Sequence, residues 1–276
     1  MKKTLFALVM TCLGLMSCGS QKKEEAPQAE EPAQPKVLVL YYSQNGTTQA
    51  LAEEIQKQLG ADIEAIECDV PYDGTYNETI QRAQDEIADN EMPAVKPLSA
   101  NVGNYDVIFL GYPVWFNSYA LPIGGLLRSQ SFDGLKIVTF CTFGSGGLQS
   151  STAKLKEQLP ESEIIEGFGI RTARIDAVKP EVERFLIEKG FKKGDVEALP
   201  AFMEHHPVTD EEKAIFSQAC DDYEYPLGKP VSVAVRETST STDYEFTVMS
   251  HDGTINVYVT QGKEEGAQPE FTHVVR

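Results

Sequence analysis

The chain has 276 residues and a formal net charge of -18, from 42 acidic against 24 basic residues. With 41% hydrophobic and 24% charged residues, it has the composition of a globular protein long enough for one large domain, or a medium domain plus a small one. The charge repels phosphate backbones and anionic surfaces, which excludes nucleic acid as a partner and leaves basic proteins as the natural electrostatic one.

Lys2 and Lys3 precede an apolar stretch from Leu5 to Met16, about the length of a signal h-region and too short to span a bilayer. Leu15-Met16-Ser17-Cys18 follows and resembles a bacterial lipobox. Residues 1–17 therefore read as a signal peptide and Cys18 as a lipidated N-terminus, which would make the mature charge -20. Several acyl chains hold a protein on a membrane durably, where one does not. Residues 18–35 read as a solvated tether, rich in Glu, Pro, Ala and Gln. Gly19 after the Cys points to an outer membrane, and Lys23-Glu24-Glu25 resembles an acidic surface-export signal. The expected location is an exported lipoprotein of the outer membrane, on its periplasmic face or at the cell surface. Cys68, Cys141 and Cys220 remain beyond the signal and the lipid site, an odd number without CxxC spacing. They suit neither a disulfide framework nor a zinc or iron-sulfur site.

From residue 37 onward strands and helices alternate. Val37 to Tyr42 is a continuous apolar run, as expected of a strand buried on both faces; Val107 to Tyr112 reads as another buried strand, and Lys136 to Thr142 (KIVTFCT) as a strand as well. Ile63 to Cys68 and Ile164 to Ile170 read as two further strands. Between and after them, helices are expected at 47–59, 78–88, 119–127, 151–159 and 180–189. Apolar faces are read at Ala50, Leu51, Ile55 and Leu59 in the first helix and at Ile80, Ala83 and Ile87 in the second. Five such β-α repeats imply a parallel sheet covered by helices on both sides, with ligands bound beyond the strands' carboxyl ends where strand order reverses.

Three loops at those ends carry chemistry. Ser43-Gln44-Asn45-Gly46-Thr47-Thr48 joins the first strand to a helix N-terminus, where hydroxyls, a glycine and backbone N–H groups suit a phosphate. It has no Lys, which excludes a nucleotide-triphosphate loop. Gly111 to Ser118 carries the only Trp; Trp115 could stack on a planar heterocycle, with Tyr112 or Phe116 flanking it. Thr142 to Gly147 holds three glycines in six residues, which allow backbone to approach a flat ligand.

Together these residues resemble the flavodoxins, the subgroup with a Y-P-x-W turn and a C-T-x-G-S-G third loop, over about Val37 to Phe191. The resemblance implies a flavodoxin-like doubly wound α/β fold of five parallel strands in the order 2-1-3-4-5, over residues 36–192, with FMN as cofactor. The ligand position at the switch point is one for which flavodoxins themselves are a standing example. It places Ser43, Gln44, Asn45, Gly46, Thr47 and Thr48 on the phosphate; Pro113, Val114, Trp115 and Phe116 around the ring; and Thr142, Phe143, Gly144 and Gly147 on the ring's other side. Gln44 stands where the family has a small residue, and Asn117-Ser118 replaces the more usual W-G-T continuation. The resemblance further implies a carrier passing electrons to another protein, here a basic one. An acidic protein around a flavin disfavours the anionic reduced form and lowers that couple's potential. The alternatives are an FMN-dependent NAD(P)H or quinone-type reductase and a non-redox binding module on the same fold.

Residues 193–276 read as a small α+β domain. A helix opens with the capping-box pattern Thr209 to Glu212 and has an apolar face at Ala214, Ile215, Ala219 and Cys220. About four antiparallel strands follow, at 230–236, 244–248, 255–259 and 271–275, able to bury one face on that helix. Only the element order resembles a cystatin-like or NTF2-like half-sheet, and no motif points to a function. His205-His206 reads as a surface pair, since adjacent residues do not share a helix face.

Overall fold

The computed structural model describes residues 35–251 and 253–276, which form one compact unit. The expected signal peptide, Cys18 and nearly all of the tether lie outside the described residues.

The first part is a parallel sheet of β1 (Val37–Tyr41), β2 (Asp62–Ala65), β3 (Val107–Trp115), β5 (Lys136–Phe143) and β6 (Glu163–Arg171), in the spatial order β2-β1-β3-β5-β6. That is the expected 2-1-3-4-5 order, because β4 (Ser118–Tyr119) is a two-residue strand turned back antiparallel onto β3. The order reverses between β1 and β3, both of which run parallel.

The apolar runs behave as expected of doubly covered strands, and their alternation builds two cores. Leu38, Leu40, Ile108, Leu110 and Ile137 face one way, against Ile123 and Leu126 of α3 (Leu121–Ser129) and Leu155 of α4 (Leu148–Gln158). Val39, Tyr41, Phe109, Val138 and Phe140 face the other, against Leu51, Ala52 and Ile55 of α1 (Thr47–Leu59) and Val182, Phe185 and Leu186 of α5 (Val178–Glu188). Two helix faces differ from expectation. In α1 it is Thr48, Leu51, Ala52 and Ile55 that are buried, and Ala50 is exposed. In α2 (Tyr76–Ala88) only Ala83 is buried and Ile87 is 47% exposed; the helix is held by polar contacts of Arg82 and Glu86 with residues 70–72.

The second part is an antiparallel sheet in the order β11-β10-β9-β8-β7, from β7 (His206–Pro207), β8 (Lys229–Glu237), β9 (Ser241–Ser250), β10 (Gly253–Gly262) and β11 (Pro269–Val275). Alternating burial of Tyr244, Phe246 and Val248 in β9 and Ile255, Val257 and Val259 in β10 gives one apolar face. The helix α6 (Asp210–Ala219) covers it, as expected, starting at a complete capping box of Thr209 and Glu212. Its buried residues are Phe216 and Ala219; Ala214 is exposed. His205 and His206 are half-exposed, 3.6 Å from Glu245 and 3.4 Å from Glu212 respectively. Among the described residues no group of three or more His, Cys, Asp and Glu side chains is placed to hold a metal ion, and no helix is long and apolar enough to cross a membrane.

Candidate functional site

Among the described residues the α-helix N-termini are of three kinds, of which α3 and α5 form one: they follow Ala120 and Ala177 and have no side-chain cap. The helices α2 and α6 carry complete capping boxes, Thr75 with Glu78 and Thr209 with Glu212. By contrast, α1 and α4 follow β1 and β5 and start at glycines with positive φ: Gly46 (φ 87) and Gly147 (φ 117). Neither has a side-chain cap, and neither has an acidic residue in its first turn. A helix N-terminus carries unpaired N–H groups and the positive end of the helix dipole, so an uncapped one free of acids favours an external anion.

The first loop is already shaped. Gly46 N–H donates to Ser43 Oγ (3.1 Å), and Thr47 N–H donates to Asn45 Oδ1 (3.3 Å). A hairpin at Asn45-Gly46 is absent; positive φ at Gly46 serves the helix start instead. Gln44 takes a hydrogen bond from the Tyr42 hydroxyl and gives one to the Tyr72 carbonyl, so its long side chain fastens the loop to the chain before α2. Thr48 is 1% exposed and its hydroxyl pairs with that of Thr142 at 2.7 Å. This buried pair ties the first loop to the end of β5, where the third loop begins.

The second segment is less of a loop than expected. Gly111 to Trp115 is still strand, and Phe116 and Asn117 form a two-residue hairpin turn, at φ 49 and φ 57, that pairs Trp115 with Ser118. Positive φ at both central residues is the type I′ geometry, for which Asn suits and Phe does not. Tyr112 does not flank this region: it is fully buried and donates to Ser151 Oγ at 3.2 Å. Trp115 is partly buried, edge-on to Tyr42 (centroids 5.9 Å) and to Tyr72 (5.2 Å). Pro113 and Val114 are partly buried beside it, and Phe116 is 46% exposed at the tip.

Tyr72 is the residue that sequence reasoning missed. Its ring supports Trp115, its hydroxyl bonds Glu86, and the Arg82 guanidinium lies 3.8 Å from its ring centroid. Burial, with the Glu86 carboxylate close by, pushes its phenol well above the usual range, so it stays a neutral donor. No motif marks it; only its place after β2 brings it to Trp115.

The third segment uses its glycines in three different ways. A Cβ on Gly144 would meet nothing within 4 Å. One on Gly146 would fall 2.3 Å from the Val274 carbonyl oxygen of β11, and one on Gly147 would strike Val114 at 2.6 Å. Phe143 is buried in the core and does not present its ring freely. A cleft of about 670 Å³ opens beside Gly146 and Gly147, bordered by Asn117, Phe143, Phe168 and the β11 residues His273 to Val275.

The flavodoxin family model matches residues 36–184, just over half of the chain. The chain belongs to the flavodoxin family. FMN is the cofactor of that family, and the two uncapped glycine-started N-termini and the aromatic group at Trp115 are features that fit a phosphate and a planar ring. Among solved structures, the chain is similar to a protein from Bacteroides eggerthii DSM 20697 assigned as a flavoprotein, at 29% identity over 55% of this chain and 98% of that one (TM-score 0.47). Another from Bacteroides uniformis ATCC 8492, also assigned as a flavoprotein, is 24% identical over 54% of this chain and 98% of its own (TM-score 0.49). A flavoprotein from Lactobacillus acidophilus NCFM, solved in complex with FMN, is 26% identical over 52% of this chain and 97% of its own (TM-score 0.45). No curated protein matches the chain. The sheet of residues 206–275 lies outside the family match.

Proposed function

We propose that this flavodoxin is an FMN-dependent electron carrier, exported and held at an outer membrane through lipid on Cys18. The observation that carries the redox reading is the start of α1: a helix at the switch point with glycine at its cap, no side-chain cap and no acid in its first turn. Ser43, Gln44, Asn45, Gly46, Thr47 and Thr48 would hold the phosphate, chiefly through backbone N–H groups. Pro113, Val114, Trp115 and Phe116 would line one side of the ring, and Thr142, Phe143, Gly144 and Gly147 the other. When bound, FMN supplies one- and two-electron redox chemistry, and this chain's residues bind it, orient it and exclude water from it.

The partner would be a basic protein steered by the charge of -18. Electron exchange with such a partner should slow steeply as salt rises, because screening shortens the reach of that charge. A rate independent of ionic strength would remove the basic-partner reading. For the anchor, Cys18→Ala should move the protein from the detergent phase to the aqueous phase; an unchanged distribution would remove the lipid reading.

One observation favours the reductase alternative. The cleft beside Gly146 and Gly147, at about 670 Å³, is the size of a small-molecule site. Catalytic consumption of NADH or NADPH with a quinone acceptor, by the FMN-loaded protein alone, would support that reading over the carrier.

A further inference from the structure

The antiparallel sheet reaches the flavin site through one strand. The Val274 N–H of β11 donates to the Ser145 carbonyl at 2.6 Å. The Val274 carbonyl oxygen occupies the space that a side chain on Gly146 would need, 2.3 Å from its Cβ position. Two successive residues of the third loop are thus shaped around one residue of β11.

A second link lies beneath the first. Arg171, at the end of β6, is 6% exposed. Its Nε donates to the Gly144 carbonyl at 2.9 Å, and its Nη1 reaches Asp222 Oδ2 at 3.1 Å. The guanidinium lies 4.5 Å from the Phe271 ring centroid in β11. A planar fork can bond a loop carbonyl and a carboxylate in different directions at once, which a lysine ammonium cannot do in the same geometry. Gly144 and Ser145, successive members of the loop, therefore have both carbonyls held: one by Arg171, which is itself fixed by the second sheet, and one by that sheet directly.

From these contacts we infer that the antiparallel sheet is a brace for the third flavin loop, and that Arg171 is its positioning residue. This rests on the FMN reading above and adds to it a role for a segment outside the family match. The brace fixes the loop before the ring arrives, so less ordering is left to the binding step. It also turns the Gly144 and Ser145 carbonyls toward Arg171 and β11, while the Cβ position of Gly144 stays open.

The test uses the full chain and three variants, of which Asp222→Asn is the one that leaves the backbone contacts in place. Asp222→Asn removes the charge at the 55% exposed end of the Arg171 link. Gly146→Ala pushes β11 off the loop. Three quantities are measured on the wild type and on each variant: FMN affinity, melting of the cofactor-free protein, and visible circular dichroism at saturating FMN. The expected result is about tenfold weaker FMN binding in each variant with a changed visible spectrum, and in Asp222→Asn a melting temperature within a few degrees of wild type. Arg171→Lys should weaken binding likewise, since charge alone does not restore the fork. If the wild type binds FMN and the variants bind equally well with an unchanged spectrum, the brace is wrong, whatever their melting temperatures. If the wild type takes up no FMN at all, it is the cofactor reading that fails.

Discussion

Replacing Thr48 by Val isolates one buried contact between two arms of the site. Thr48 and Thr142 are 1% and 2% exposed, and their hydroxyls pair at 2.7 Å across the gap between α1 and β5. A typical hydrogen bond adds only about 1 kcal/mol net, but stranding one partner in a dry site costs about 1–3 kcal/mol. Thr48→Val strands the Thr142 hydroxyl, and Thr142→Val strands that of Thr48, so each single change should destabilise by that amount. The double change replaces both with apolar groups of the same shape and should recover most of the loss. The double loss then stays below that of either single change, so the cycle should show a coupling of about 1–3 kcal/mol or more. Urea unfolding of the cofactor-free protein measures it, with Trp115, the only tryptophan, as the local probe. Losses that add within about 0.3–0.5 kcal/mol would refute the pairing. Because the hydroxyls face each other, FMN affinity of the double variant should change less than about threefold, under ~1 kcal/mol. A large loss of affinity at unchanged stability would put those hydroxyls on the ligand instead.

Four further outcomes follow from the geometry. Trp115→Ala should weaken FMN binding by about tenfold or more, as expected for an aromatic anchor worth ~1–3 kcal/mol of stacking; unchanged affinity in a flavin titration would put the ring elsewhere. Gly147→Ala forces a side chain into φ 117 and onto Val114 at 2.6 Å, so the apoprotein should lose about 1–3 kcal/mol by urea unfolding; a neutral effect would contradict the α4 start. His273, partly buried and near Arg174, is held down to about 4 in the fold, mainly by desolvation, against an ordinary value of 6.5. The unfolded chain therefore takes up a proton first. Stability is full above pH 6.5 and should fall between pH 6.5 and 4 by up to ~3 kcal/mol, a slope that His273→Asn should flatten; equal slopes would refute it. Burial pushes the thiols of Cys68 and Cys220 up to about 11 and about 12, so a disulfide reagent at pH 8 should react slowly until denaturant is added; fast labelling of the native protein would contradict the burial.

What could be read in the sequence follows the range of the forces involved. The strands at 37–42, 107–112 and 136–142 are legible because both faces are buried, so most of their residues are apolar, the exceptions in the third being Lys136, Thr139 and Thr142. The Thr209–Glu212 capping box was legible because a cap is a contact between near neighbours. The face of α2 does not follow its apolar spacing: Ile87 is left exposed, and the helix is tied down through Arg82 and Glu86, polar contacts that periodicity does not report. The Phe116-Asn117 turn is not legible, since type I′ turns are announced by Asn-Gly or Asp-Gly and Phe is unfavourable at positive φ. The three glycines of the third loop looked alike in sequence. Their different uses depend on Val114 and Val274, the second of them well over a hundred residues away. The Thr48–Thr142 pair, 94 residues apart, has no local signature at all.

The central claim is that the switch-point loops of this flavodoxin form a working FMN site. Titrating FMN into the full-length protein while following Trp115 emission tests it. The account predicts a saturable one-to-one complex, a yellow protein and quenched Trp115 fluorescence. A folded protein that stays colourless, with Trp115 emission unchanged at excess FMN, would contradict it.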